Sequence, residues 1–365
     1  MARREGAEKF TAPARHRVLA WTAGLAVAVA VCAIVVVAVG SIQRVPGSGL
    51  AALDLRVAWL LPITRLIGDL AAAATVGCLV AAAVLLPNKG FVSPAGYRWV
   101  RRATWPAVVW AAAAGLALPG LLVEFLNTDL SHISARAVFA FVRDTPYGGA
   151  QAAAALLAML AAIGSRWVLT TAGARLLLVL ALVAVVLPAV AEYAEAEGTP
   201  ARVAIAAAGM VLHILGALLW SGTLAALLLI RLSRGELVTA VRRYSRAAPI
   251  LALTVGASGL LTAAVELEEP GQWVQTPYGR LVLLKACAFA GLIAVGWWHR
   301  RRTLPAFAEG RAGAFRRLAA VELGIFAVTF GLAVGLSRTP APELGSAVTE
   351  MSAAAHASAP AAGSD

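Results

Sequence analysis

Long apolar runs separated by short polar stretches dominate the chain. Val18–Gly40 is unbroken, and further runs follow at about 65–86, 104–126, 147–164, 172–193, 203–230, 247–267, 279–298 and 318–336. About 20 helical residues cross the ~30 Å apolar core of a bilayer, so each run is long enough, or nearly so, to span it. The pattern predicts an all-α, polytopic transmembrane bundle of about nine helices. The polar stretches fix its orientation. Residues 1–17, Lys89–Arg102, Arg166–Arg175, Arg231–Arg246 and Arg300–Arg317 are basic, whereas Asn127–Pro146, Glu192–Arg202 and Glu266–Gly279 are poorer in Lys and Arg. Basic loops stay in the cytoplasm, which puts the N-terminus inside and the C-terminus outside a plasma membrane.

Composition narrows the class. The chain of 365 residues is 60% hydrophobic and 14% charged, with mean hydropathy +0.80. Soluble domains carry roughly 25% charged residues, so the lipid bilayer is the expected solvent. The net charge of +12 lies in short clusters between apolar runs, a pattern of membrane loops rather than of a nucleic-acid face. Residues 1–17 read as a basic cytoplasmic segment. Val18–Gly40 imitates a signal peptide but exceeds the ~7–15-residue apolar stretch of one, so residues 18–40 read as an anchor helix. Residues 337–365, rich in Ala, Ser and Pro, read as a disordered external tail.

The middle of the chain repeats itself. Thr145-Pro-Tyr-Gly148 recurs as Thr276-Pro-Tyr-Gly279, Leu121–Glu124 resembles Leu260–Glu266, and Val76–Leu79 resembles Ser221–Leu224. Residues 65–193 and 203–336 are therefore expected to be two four-helix copies with the same orientation, as in parallel-repeat transporters. The first copy is degenerate: where the second has His213, it has Gly68 beside Asp69.

The candidate chemistry sits in Met210–Ile230. His213 is an ionisable group inside an apolar helix, where a polar side chain needs a partner or a ligand. Met210, His213, Ala217 and Trp220 share one helical face. Imidazole with thioether suits copper, above all Cu(I); a hydrogen-bonded packing histidine is the alternative. Cys287 falls near the same depth and could add a thiolate, although a lone cysteine is more often a packing residue. Lys285 has Glu266 or Glu124 as candidate partners, and Glu322 has Arg316 or Arg317. Glu266, Glu268 and Glu269 form an acidic outer loop. Trp220 is placed to close the site from the cytoplasmic side.

His213-Ile-Leu-Gly-Ala-Leu-Leu-Trp220-Ser-Gly222-Thr-Leu, followed by Ser258-Gly-Leu, Thr276-Pro-Tyr278-Gly279-Arg280-Leu-Val-Leu-Leu-Lys285, Glu322 and Ser337-Arg-Thr-Pro, resembles the copper-resistance protein D family over about residues 205–342. The resemblance implies copper handling, with copper ion moved inward at a midplane site, and an external copper-binding chaperone as partner. No G-x-x-x-x-G-K-[ST] phosphate-binding loop is present, so ATP is not expected to drive transport within this chain, and an enzyme is not expected. Two rivals remain open: a haem-binding b-type cytochrome, for which only His213 lies inside the bundle as an axial ligand, and a non-transporting scaffold for copper-enzyme maturation.

Overall fold

Caps and prolines, rather than hydropathy, set the helix boundaries in the computed structural model. The structure describes residues 26–35, 37, 55–86, 90–194, 199–229, 233–267, 269–298, 300–301 and 312–339. In chain order the helices are α1 (Ala26–Val35), α2 (Leu55–Val80, running into a π-helical turn at Ala81–Leu85), α3 (Pro94–Leu126), α4 (Ala135–Asp144), α5 (Pro146–Trp167), α6 (Thr171–Ala194), α7 (Pro200–Leu229), α8 (Arg234–Glu266), α9 (Gln272–Gln275), α10 (Pro277–Trp298) and α11 (Ala312–Leu336). Eight of these are long and apolar enough to cross a membrane. The expected anchor helix is described only in part, and there it is the apolar α1. The basic segment 1–17 and the tail from 340 onward lie outside the described residues.

Several helices start earlier than the apolar runs suggest. α2 is already helical at Leu55, where its described residues begin, α3 starts at Pro94 and α8 at Arg234, so most of Lys89–Arg102 and Arg231–Arg246 is helix rather than loop. Serine caps explain two of these starts. The Ser93 side chain accepts from Gly96 N ahead of Pro94, and Ser233 with Glu236 forms a capping box. Both satisfy backbone N–H groups that a helix start leaves orphaned. The arginines then lie on helical extensions, where Arg102 stacks over Trp99 at 5.0 Å and Arg101 over Tyr97 at 5.8 Å. Long basic side chains with aromatic neighbours suit a membrane–water boundary.

α2 is the central helix: 72% of its apolar span is buried, against 6% for α10. It packs on α3 and α7, and less closely on α6 and α11. α7 in turn packs on α8, and α5 on α6 as α10 does on α11. α6 approaches α7, and α11 approaches α2. One pair breaks this correspondence: α5 packs along α3, but α10 meets α8 at only a few residues. At the α2–α7 crossing Gly77 and Gly222 face each other, and a Cβ on either would collide with the opposite backbone. The two helices therefore touch main chain to main chain, as small residues permit in membranes.

The starts of α5 and α10 are built alike. Thr145 Oγ1 donates to Phe141 O at 2.8 Å and accepts from Gly148 N at 3.0 Å. Thr276 Oγ1 donates to Gln272 O at 2.6 Å and accepts from Gly279 N at 3.0 Å. In both, proline follows the cap at the first helical position, where its missing N–H costs nothing. At the opposite end, Arg243 Nη1 donates to the carbonyls of Val84, Leu85 and Leu86 at 2.7, 3.2 and 3.3 Å. It caps the last turn of the α2 helix with positive charge, where free carbonyls favour it.

Candidate functional site

His213 projects from α7 toward α8. Its Nδ1 lies 3.0 Å from Val255 O and 3.4 Å from Ser258 Oγ. A carbonyl oxygen only accepts, so Nδ1–H donates to Val255, and in the neutral form of the ring the lone pair lies on Nε2. Ser258 is itself tied down, donating to Thr254 O at 2.5 Å. The ring rests on Gly259, where a Cβ would stand 2.9 Å from the imidazole Cε1 and 3.0 Å from Nδ1. Ser258-Gly259 thus supplies a polar edge and a flat seat for the histidine. Metal-bound histidines characteristically donate their other ring N–H to such a carbonyl, which fixes tautomer and orientation.

Met210 is half-buried and lies three residues earlier on the same helix. Lys285 reaches within Coulombic range of His213 from α10. Of the two carboxylates expected beside Lys285, Glu124 is ion-paired with Arg338, just beyond α11. Cys287 is exposed on α10. Among the described residues no three His, Cys, Asp or Glu side chains gather as a metal-holding group.

Two turns further along α7 an aromatic cluster packs between helices. Trp220 is buried and meets Phe289 of α10 edge-on at 6.3 Å and Phe326 of α11 edge-on at 5.0 Å. The Tyr244 hydroxyl donates to Trp220 O at 3.5 Å. Phe289 fills the notch at Gly256, where a Cβ would come 2.9 Å from its ring. This is one place where α10 is anchored to α8. Glu322 is buried on α11, within Coulombic range of Tyr244. The arginines expected beside it have side chains outside the described residues.

The remaining motif residues have structural roles. Gly279 is buried because the backbone of Gln272 and Trp273 occupies the space of a side chain. Arg280 Nε donates to Val274 O at 2.7 Å, capping α9. Tyr278 lies within Coulombic range of Glu266 and Tyr193 at the mouth of this half. Arg65 is a charged membrane-helix residue that the apolar runs do not mark. It lies on α2, at the edge of an expected span, and Tyr147, Asp69, Glu192 and Glu124 all act on it electrostatically. An arginine one helical turn before Asp69 inside a membrane helix was the available signal.

No curated protein and no solved structure gives a significant match to the chain. Residues 238–336 of this multi-pass helical membrane protein, which run from α8 through α11 and include the Ser258-Gly259 seat, Lys285 and Glu322 but not His213, match the copper resistance protein D family.

Proposed function

We propose that the protein handles copper at the plasma membrane and passes it inward, with His213 as the central ligand and Met210 in support. The N-terminus is cytoplasmic and the C-terminus external, so the ends of α3, α6 and α8 that carry Glu124, Glu192 and Glu266 face outward. The observation that carries this reading is the orientation of His213. Val255 of α8, inside the matched stretch, accepts the hydrogen bond from Nδ1–H, and Gly259 seats the ring. Nε2 keeps its lone pair for a ligand. An imidazole and a thioether make a low-coordination, soft donor set, which suits Cu(I) better than metals requiring four or more N/O ligands. Copper is cargo here: it enters from the acidic end between α7, α8 and α10, and the layer of Trp220, Phe289 and Phe326 bounds its path inward. An external copper-binding protein is the expected donor.

Copper-64 uptake per molecule in cells expressing the wild type or His213→Ala tests this. We expect uptake to fall at least tenfold in His213→Ala while its membrane abundance, read by immunoblot, holds. Equal uptake per molecule would remove His213 from the pathway.

A further inference from the structure

One end of the first half carries arginines without acidic partners. α3 begins, α5 ends and α6 begins there, and Arg98, Arg101, Arg102, Arg166 and Arg175 are all exposed. Among the described residues none of these arginines forms an ion pair. The sequence supplies the reason: no Asp or Glu lies between Asp69 and Glu124, or between Asp144 and Glu192. Glu236, at the start of α8, is already held by Ser233. Arg243 of α8 differs from the five, because the carbonyls that end α2 take up its guanidinium.

Position turns these cations into a surface. Arg98, Arg101, Arg102, Trp105 and Val109 follow helical spacing along one face of α3, and every one is exposed. Trp105 is 71% exposed and, at 1.5 Å per residue, lies about 6 Å deeper in the span than Arg101. α5 carries the same order toward its end: Leu156, Leu160 and Ile163 are exposed, then Arg166 and Trp167. Apolar side chains thus face acyl chains, and the arginines stand at the level of the headgroups with tryptophan beside them.

The surface is assembled before any ligand arrives. Val92 N donates to Leu169 O and Thr171 N to Gly90 O, each at 3.0 Å. This bridge ties the start of α3 to the segment between α5 and α6. Farther along the same helix pair, Gln151 Nε2 donates to Ala114 O at 3.3 Å. On α3 itself, Arg102 lies over Trp99 and Arg101 over Tyr97. A guanidinium laid against a ring keeps its N–H edge for other acceptors, and that edge matches two oxygens of a phosphate.

We propose that this strip binds anionic phospholipid, with the phosphate at Arg101 and Arg102, Arg98 beside them, and the acyl chains along Trp105 and Val109. On the orientation proposed above it faces the cytoplasmic leaflet, whose surface is negative. Trp105 reports on its own site. The full chain is reconstituted in phosphatidylcholine vesicles holding a minor fraction of phosphatidylglycerol or phosphatidylcholine with brominated acyl chains, which quench adjacent tryptophan. Subtracting the signal of Trp105→Phe in each background isolates Trp105. Brominated phosphatidylglycerol should quench it at least twofold more than brominated phosphatidylcholine.

Arg101→Gln with Arg102→Gln should bring the two lipids level. Arg242→Gln with Arg246→Gln, an equal loss of exposed charge on α8, should leave the preference unchanged. Equal quenching in wild type, a preference that survives loss of Arg101 and Arg102, or an equal drop in the α8 variant overturns the proposal. So does a preference abolished by inorganic phosphate at constant ionic strength, which marks a site for soluble anions. Should the glutamine variant not insert, Arg101→Lys with Arg102→Lys decides, since it keeps both charges but not the two-pronged hold. Its preference should fall below that of wild type, and an unchanged one overturns the proposal.

Discussion

Gly259 and His213 work as one unit across the α7–α8 boundary, although only the first lies within the family match. A methyl group at 259 would have to displace the ring, because 2.9 Å from Cε1 is closer than carbon atoms approach. Gly259→Ala should therefore weaken silver binding at least tenfold without removing any donor, at most lowering membrane abundance slightly. Isothermal titration of the purified protein against Ag⁺ would check it, and unchanged affinity would show that the seat is irrelevant. Met210→Leu keeps volume and apolarity but loses the sulfur, so binding should weaken by less than in His213→Ala. At this scale His213 was legible in the sequence, because an ionisable side chain in an apolar run stands out at once. Its partner was not. A backbone carbonyl has no sequence signature, and Arg65 escaped notice because it falls where an apolar window begins.

At the scale of elements, α1 shows how a helix of apolar residues is held. Ala28, Cys32 and Val35 recur along one face and bury against α2 and α11. Gly331 and Gly335 are four residues apart on α11, and a Cβ at 331 would come 2.7 Å from Ala28 O. In lipid no hydrophobic force draws helices together, so close approach over small residues has to supply the attraction. Gly331→Leu should force α1 off α11. The cost should be about 1–3 kcal/mol, the range for overpacked cores, seen as a lower melting temperature of the purified protein. An unchanged melting temperature would mean that α1 contributes little. The sequence showed both helices as apolar runs, but not that they pair, since apolar faces in a membrane protein are not marked by hydrophobicity. The early starts of α3 and α8 show the same limit: serine caps and arginine-bearing turns extend a helix beyond the part hydropathy can see.

For the molecule as a whole, the orientation proposed from loop charge is open to direct test. Cysteine placed at Ala347 should react with an impermeant maleimide in intact cells, and cysteine at Ala312 only after permeabilisation. Labelling of both from one side would reverse one end. The deeper question is what joins the halves. The Val-Gly-Cys-Leu and Ser-Gly-Thr-Leu segments were visible as similar sequences, but similarity alone could not say that they meet. They do, with Gly77 against Gly222 and Gly222 against the carbonyl of Ala73. Both contacts are backbone on backbone, so no side chain can rotate aside to admit a methyl group. Gly77→Ala and Gly222→Ala should each push α2 and α7 apart and lower stability by at least the ~1–3 kcal/mol of ordinary overpacking. Gly115 is the control. It is also a glycine within a membrane helix, but a Cβ there meets nothing within 4 Å. Because alanine is the better helix former by up to ~1 kcal/mol, Gly115→Ala should be neutral or stabilising. Thermal unfolding in nanodiscs compares the three directly. Equal melting temperatures across them would mean that the central crossing bears no load and that the halves are held elsewhere.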